Sequence, residues 1–225
     1  MQNITFDLSD QHRFGSAFFD FLRLRKKYFV DGLGWDIPHN DEVEMDQYDN
    51  PLAHYSLVLR DGQVVGGART MATTAAWGAH TYMLRDAVAG RLATIPNQVM
   101  EVEVETQAVW ECTRLVISDE VSGHVDRARC LQLIVDGLVS VANKHGGEDL
   151  ISLSPLPLMR ALRQLGYQTS RIGEPYDNPG DGRKYAVLTM KAKPSTACGA
   201  LHTPPIIPPE LPILARNLPE HRVQH

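Results

Sequence analysis

Apolar positions in the N-terminal half of the chain change between the spacing of a strand and that of a helix. The segment ITFDL alternates as a short strand, and the apolar repeat that follows predicts a helix over 11–30. The run from His54 to Ala72 holds two apolar stretches around Asp61-Gly62, a dipeptide typical of a hairpin turn. A short helix over 81–92 and a long strand over 107–118 are predicted next.

The C-terminal half continues this order. An amphipathic helix is predicted over 124–146, then a strand over 149–154, a helix over 154–167 with Ser154 as its cap, and a strand over 183–191. An antiparallel start followed by helices between strands predicts an α/β sandwich, in which helices cover both faces of a mixed sheet.

The composition changes at about residue 194, where the chain becomes dense in proline and loses periodicity. Such a segment is either disordered or wraps on the body in extended form. We therefore predict one domain over 1–193 and a proline-rich tail over 194–225.

Charge and cysteine usage exclude several classes of protein. The 22 basic and 27 acidic residues give a net charge of −5, which argues against a nucleic-acid binder. The 3 cysteines show no zinc-ligand spacing, so we expect no metal site and a reducing compartment. No signal-peptide pattern and no bilayer-length apolar run are visible, which predicts a cytoplasmic protein without membrane insertion.

Acidic side chains are crowded in EVEMDQYDN at 42–50, next to the tryptophan of GLGWDIP. Like charges repel, so the cluster needs water, a metal, arginines or a cationic ligand to compensate it. Each side chain nearby has an ordinary structural explanation, but together they suggest one site. Its candidate members are Arg25, Phe29, Trp35, Glu44, Asp46, Asp49, Arg69, Glu111 and Arg114.

This spaced set, with VVGGART, YMLRD at 82–86 and WECTRLVIS, resembles the acyl-homoserine-lactone synthases, the autoinducer synthases of bacterial quorum sensing. The resemblance is strong over about 18–118 and looser to about 190. One departure is that Ala87 and Val88 stand where the family usually has a phenylalanine, which affects a pocket wall rather than the chemistry.

The resemblance implies a fold like the GCN5-related N-acetyltransferases, a three-layer α/β sandwich with a mixed, splayed central sheet. It also implies a reaction between S-adenosylmethionine and an acyl thioester, carried by acyl carrier protein or alternatively by CoA. The methionine amine forms an amide, and the methionine carboxylate then closes the lactone and expels methylthioadenosine. S-adenosylmethionine is a substrate here, so no cofactor is expected.

Individual roles follow from the same resemblance. Glu111 is the first candidate for the base that deprotonates the amine, and Glu44 the second. Ser152 matches a family position that contacts the acyl chain. The residues expected to bind S-adenosylmethionine are Arg25, Phe29, Trp35, Asp46, Asp49, Arg69 and Arg114. Docking an acidic carrier protein needs exposed basic residues, for which the candidates are Arg127, Arg129, Arg160 and Arg163.

Two geometric expectations can be checked against the structure. Glu111 and Arg114 are three apart in a strand and would point to opposite faces, so a shared site predicts a β-bulge near Cys112 and Thr113. Repulsion within the acidic segment predicts that neutralising Glu44 or Asp46 leaves the melting temperature unchanged or raised.

Two other functions stay open at this point. One is an N-acyltransferase that uses acyl-CoA on a different amine, although the usual glycine-rich pyrophosphate loop is not visible before residue 124. The other is a non-catalytic binding module in which the acidic segment holds a metal, although the segment does not match an EF-hand loop.

Overall fold

A single mixed sheet organises the computed structural model, which describes residues 1–101 and 103–193. Its strand order is β1-β2-β3-β4-β5-β7-β6, and all neighbours are antiparallel except β4 and β5. The predicted tail lies outside the described residues, so the domain boundary stays a prediction. The strands are β1 Gln2–Asp7, β2 His54–Arg60, β3 Gln63–Ala72, β4 Val109–Ile117, β5 Asp149–Pro155, β6 Thr169–Asp177 and β7 Lys184–Lys191.

Helices cover both faces of this sheet. On one face lie α1 (Ala17–Arg25), the π-helical segment Lys26–Gly32 and α2 (Met83–Val88), and their apolar residues form one core with β1 to β3. On the other face lie α3 (His124–Lys144) and α4 (Leu156–Gln164), which share a second core. The predicted sandwich is therefore confirmed.

The sheet opens between β4 and β5. These strands pair in parallel only where Val109–Glu111 faces Asp149–Ile151, and they then separate. The later part of β5 pairs with β7 alone, through Ser152 to Pro155. The resulting wedge confirms the expected splayed sheet and leaves backbone groups of two strands facing a common gap.

Close packing at a glycine sets the position of α1. A side-chain carbon at Gly67 of β3 would collide with Phe21 of α1 and with Leu57. The missing side chain lets α1 lie directly on the sheet. The last turn of α1 thereby reaches the same face of the sheet as the acidic segment.

Three local predictions were wrong. The helix over 11–30 is instead a 3-10 turn at Gln11–Phe14, then α1, then the π-helical segment. The strand β6 was missed because its side chains are mostly exposed and Gly173 and Pro175 interrupt any alternation. Ser154 does not cap α4, since its hydroxyl contacts that of Ser152 and the capping position is Pro155.

Within the described residues, no helix is both long and apolar enough to cross a membrane.

Candidate active site

Three arginines and three carboxylates form a buried ion-pair network beside the wedge. The arginines come from the end of α1, from β3 and from β4, and the carboxylates all come from the acidic segment. Arg25 donates through Nε to Glu44 at 2.6 Å and through its two terminal nitrogens to Asp49 at 2.8 and 2.9 Å. The backbone amide of Glu44 also donates to Leu22, which fixes the segment against α1.

The other two arginines complete the network. Arg69 donates to both oxygens of Asp46 and pairs with Asp49 at 2.9 Å. Arg114 contacts Glu44 at 3.2 Å and Asp46 at 2.7 Å. The acidic crowding is therefore compensated by arginine, with three positive charges against three negative ones.

Exposure differs within the network. The side chains of Arg25, Arg69, Glu44 and Asp49 are fully buried, whereas those of Arg114 and Asp46 are 9% and 3% exposed. Only Arg114 and Asp46 are therefore placed to meet a ligand from solvent, and the deeper members hold them in position.

The arginine charges keep the acidic residues ionised. Burial by itself raises the pKa of Asp49, but the charges of Arg69 and Arg25 outweigh it and hold that pKa far below its usual range. The pKa of Asp46 is lowered against burial in the same way, by Arg69 and Arg114. The repulsion behind the expectation for Glu44 and Asp46 is compensated, because each of these carboxylates pairs with two arginines. Removing either charge would leave the buried network with excess positive charge, so we now expect a loss of stability.

A ring of hydroxyls and aromatics surrounds the network. Tyr55 donates to Asp49 at 3.0 Å, and Thr113 accepts from Arg69 at 3.0 Å. Tyr48 lies 5.6 Å from the Arg69 guanidinium and donates to Asp86 of α2 at 3.0 Å. Sequence reasoning missed these contacts, since tyrosine and threonine are common in any core.

A β-bulge in β4 lets two functional side chains share one face. Arg69 pairs with Thr113 and Gly67 with Val116, so Arg114 and Leu115 together oppose Ala68. Arg114 adopts a φ of 56°, in the left-handed region. The predicted bulge is confirmed, one position further along the strand, and it turns Arg114 to the face that Glu111 occupies.

Glu111 has a different environment from the network carboxylates. It is buried, and its two oxygens each accept a backbone N–H at 2.8 Å, from Met83 and Leu84 at the start of α2. Burial raises the pKa of Glu111 to about 7, although these two backbone hydrogen bonds act in the opposite direction. The carboxyl group can therefore exchange a proton near neutral pH, which suits a general base.

An aromatic pair lies next to Arg114. The rings of Phe29 and Trp35 are stacked with centroids 4.9 Å apart, and the Arg114 guanidinium lies 5.7 Å from the Phe29 ring. Phe29 belongs to the π-helical segment, a feature that occurs often at functional sites. The half-buried Trp35 donates its indole N–H to Asp181, a contact between residues 146 positions apart that the sequence did not indicate.

Ser152 lies on a different face from Glu111. In β5, Ile151 faces the core of α1 and α2, so the neighbouring Ser152 points toward α3 and α4. Contact with an acyl chain on the Glu111 side would require the chain to pass through the wedge. Its role in acyl binding stays a prediction.

The four arginines proposed for docking do not form one patch. Arg127 is at the start of α3, next to the end of β4, and donates to the carbonyls of Ser118 and Val121. Arg163 donates to the carbonyl of Thr169 at 2.9 Å and lies beside Asp149, at the opposite end of the sheet. Arg129 is half-buried near Gln132, and Arg160 is exposed on α4.

Two cavities open in the described part of the structure. One of about 190 Å³ lies between the π-helical segment and the end of β4, close to the network. The other, of about 370 Å³, lies near Asp149 and Arg163 and contains none of the predicted catalytic or substrate-binding residues. None of the predicted catalytic or substrate-binding residues lines the smaller cavity either, although it borders the π-helical segment that carries Phe29. It is lined by Leu24, Lys27, Tyr28, Gly32, Leu33, Ile117, Ser118 and Asp119.

The structure does not favour a metal site in the acidic segment. Over residues 1–101 and 103–193, no group of three or more histidine, cysteine, aspartate or glutamate side chains is arranged to hold a metal ion. The carboxylates of Glu44, Asp46 and Asp49 are instead bound by arginine.

Comparison with known proteins agrees with this geometry. The chain is 28% identical over 158 residues to an acyl-homoserine-lactone synthase of Aeromonas hydrophila, covering 68% of this chain and 70% of the relative. It is also 28% identical over 174 residues to the synthase of Acinetobacter nosocomialis, covering 73% of this chain and 88% of that protein.

Structural comparison shows the same fold at lower identity. The CoA-dependent acyl-homoserine lactone synthase BjaI, solved with MTA, superposes with a TM-score of 0.69 at 18% identity, covering 85% of this chain and 83% of that one. The expected fold resembling the GCN5-related N-acetyltransferases is thereby confirmed. The profile of the autoinducer synthase family matches residues 10–193, and the chain therefore belongs to that family.

Proposed function

We propose that the protein synthesises an N-acyl-L-homoserine lactone from S-adenosylmethionine and an acyl thioester and releases methylthioadenosine. The observation that supports this best is the juxtaposition of Arg114 and Asp46, the stacked Phe29–Trp35 pair and the buried Glu111 next to the wedge. Family membership supports the same reaction. The proposed chemistry needs no resident cofactor, and we propose that it takes place in the cytoplasm.

S-adenosylmethionine fits the charged and aromatic end of the site. Its sulfonium and adenine ring suit the faces of Phe29 and Trp35, because aromatic faces attract cations and stack on bases. Arg114 and Asp46, the two network members that reach solvent, would hold its carboxylate and ammonium groups. The deeper residues Arg25, Glu44, Asp49 and Arg69 would act by fixing these two.

Glu111 is the better candidate for the base. A free α-amino group has a pKa near ~8 and is mostly protonated at neutral pH. Each oxygen of Glu111 accepts one backbone N–H and keeps a second acceptor site, whereas Glu44 binds two arginines. Glu111 can therefore take the amine proton directly or through a water molecule, and Glu44 holds arginines in place.

The reaction then proceeds in two steps. The neutral amine attacks the thioester carbonyl, the C–S bond of the thioester breaks, and the thiol leaves with a proton. The methionine carboxylate next attacks its own γ-carbon, which breaks the bond to the sulfonium sulfur. Backbone amides in the wedge, where β4 and β5 no longer pair with each other, would stabilise the oxyanion of the first step.

The acyl donor would enter through the wedge. Apolar side chains on the Glu111 face would contact the acyl chain, among them Leu84, Ala87, Met100 and Ile151. We propose acyl carrier protein as the donor, docked near Arg127 and Arg129 at the start of α3, because the carrier surface is acidic. Acyl-CoA is the alternative donor.

A direct assay tests both the reaction and the donor. Purified protein is incubated with S-adenosylmethionine and either acyl-carrier protein or acyl-CoA of several chain lengths, and both lactone and methylthioadenosine are quantified by mass spectrometry. Equal amounts of the two products are expected. Amide formation without methylthioadenosine would indicate an ordinary N-acyltransferase, and a higher kcat/KM for acyl-CoA would contradict the carrier assignment.

A further inference from the structure

The turn between β6 and β7 reaches the aromatic pair from a distant part of the chain. It is closed by two backbone hydrogen bonds, from Asn178 to Arg183 at 2.9 Å and from Gly182 to Asn178 at 2.8 Å. Gly182 has a φ of 67°, which favours glycine. The turn presents Asp181, which is half-buried, toward Trp35.

One oxygen of Asp181 accepts two hydrogen bonds. The indole Nε1 of Trp35 donates to it at 3.1 Å, and the hydroxyl of Tyr185 donates to it at 2.7 Å. The other oxygen accepts the backbone N–H of Arg183 at 3.1 Å. Asp181 is therefore fixed within its own turn and directed at the tryptophan.

Few other contacts determine the orientation of Trp35. It lies in a segment between the π-helix and β2 that has no helix or strand of its own. Its backbone N–H donates to the carbonyl of Phe29, its ring stacks on the Phe29 ring at an interplanar angle of 26°, and the Tyr185 ring lies 6.1 Å away in a tilted arrangement. Stacking alone lets a ring slide or rotate in its plane, and a hydrogen bond to the indole N–H prevents this.

A second residue of the β6–β7 turn lies near the π-helical segment. The hydroxyl of Tyr28, the neighbour of Phe29 in the π-helical segment, raises the pKa of Arg183, so the Arg183 side chain lies near that segment. The β6–β7 turn thus contacts Trp35 through Asp181 and lies near the π-helical segment through Arg183. It does not reach Glu111, which is held by α2.

We propose that Asp181 is a positioning residue that fixes the Trp35 ring in the orientation that binds S-adenosylmethionine. This inference rests on the function proposed above, in which Trp35 contacts that substrate. Without Asp181 the indole N–H turns to water, and the ring must be ordered again each time substrate binds. Asp181 should therefore affect substrate affinity much more than the chemical step, because ordering a side chain on binding reduces affinity.

A set of variants separates positioning from general stability. Asp181→Ala removes both acceptor atoms, and Asp181→Asn retains one oxygen. Trp35→Phe keeps an aromatic ring but has no N–H to donate. Asp177→Ala is the matched control, since Asp177 is in the same hairpin and in an exposed ion pair with Lys184 but makes no contact with Trp35.

The readouts are KM and kcat for S-adenosylmethionine at saturating acyl donor, together with the melting temperature. Asp181→Ala should raise KM about tenfold, which is the effect expected from losing one hydrogen bond to a charged group. It should change kcat less than twofold. Asp181→Asn should restore most of the affinity, and Asp177→Ala should resemble the wild type. In a protein that already carries Trp35→Phe, adding Asp181→Ala should raise KM by less than a further twofold, because the indole N–H that donates to Asp181 is absent.

Two results would overturn the proposal. One is an unchanged KM in Asp181→Ala, and the other is an equal effect of Asp181→Ala in the Trp35 and Trp35→Phe backgrounds. Failure of the proposed function gives a different result, because the wild type itself would then form neither lactone nor methylthioadenosine. Asp181→Ala could also lower the melting temperature strongly. The comparison between Trp35 and Trp35→Phe proteins still tests the proposal then, because a general loss of structure would raise KM equally in both.

Discussion

The acidic segment and the start of α2 show two opposite ways to bury a carboxylate. Asp49 accepts from Arg25 and pairs with Arg69, so its charged form is stabilised and its pKa lies far below the usual range. Glu111 accepts only backbone amides, and burial raises its pKa to about 7. Full charges outweigh desolvation, whereas two peptide dipoles do not. The same chemical group is therefore a permanent anion in one place and a proton acceptor in the other.

The largest expected effect is on catalysis, at Glu111. Glu111→Gln should lower kcat by a factor of about 10² to 10⁴, the usual contribution of a general base, and calorimetry should still detect S-adenosylmethionine binding. Glu103→Gln is the control. Glu103 is exposed and pairs with Arg85 of α2, the helix whose backbone amides bind Glu111. Turnover close to that of the wild type in Glu111→Gln would assign the base to another group.

The next largest effect is on stability, at Asp49. Asp49→Asn should lower the free energy of unfolding by about 3–5 kcal/mol, because Arg25 and Arg69 then stay buried without a full counter-charge. Urea denaturation measures this. The control is Glu42→Gln in the same segment, where the partner Arg23 is exposed, and it should change stability by less than about 1 kcal/mol. Equal stability of the two variants would contradict the network.

The pH dependence of turnover sharpens the comparison. If the ionised form of Glu111 takes the amine proton, kcat should fall about fivefold between pH 7 and pH 6, as expected for a base with a pKa near 7. The residual activity of Glu111→Gln should not show this decrease in kcat at acidic pH. If kcat of that variant still falls between pH 7 and pH 6 as in the wild type, a group other than Glu111 is responsible for the pH dependence.

The smallest effect is the pH dependence of stability. A carboxyl whose pKa is raised on folding stabilises the fold below its unfolded pKa and loses that contribution as the pH rises through 7. Glu111 should thus lower the free energy of unfolding by about 1 kcal/mol between pH 6 and pH 8. Asp49 has a lowered pKa, so its contribution is lost only in strong acid. Urea midpoints of wild type and Glu111→Gln measure the difference, and parallel pH profiles would contradict it.

Much of this arrangement could be predicted because the necessary patterns are local. Apolar periodicity predicted six of the seven strands and placed helices at the correct points in the order, and Asp61-Gly62 indicated the hairpin. The requirement that Glu111 and Arg114 share a face predicted the β-bulge from strand geometry alone. Family resemblance indicated which charged and aromatic side chains meet.

The sequence by itself therefore determined the order of the elements other than β6, the fold class and the composition of the charged cluster. Only the tertiary structure decided that Glu111 is held by amides of α2 and that Asp181 reaches Trp35. The tertiary structure also showed that Arg127 and Arg163, both proposed for carrier docking, lie at opposite ends of the sheet. The physical reason is that a pattern of neighbours in sequence specifies which face a side chain occupies. Its partners, and with them its pKa, depend on which distant elements pack against that face.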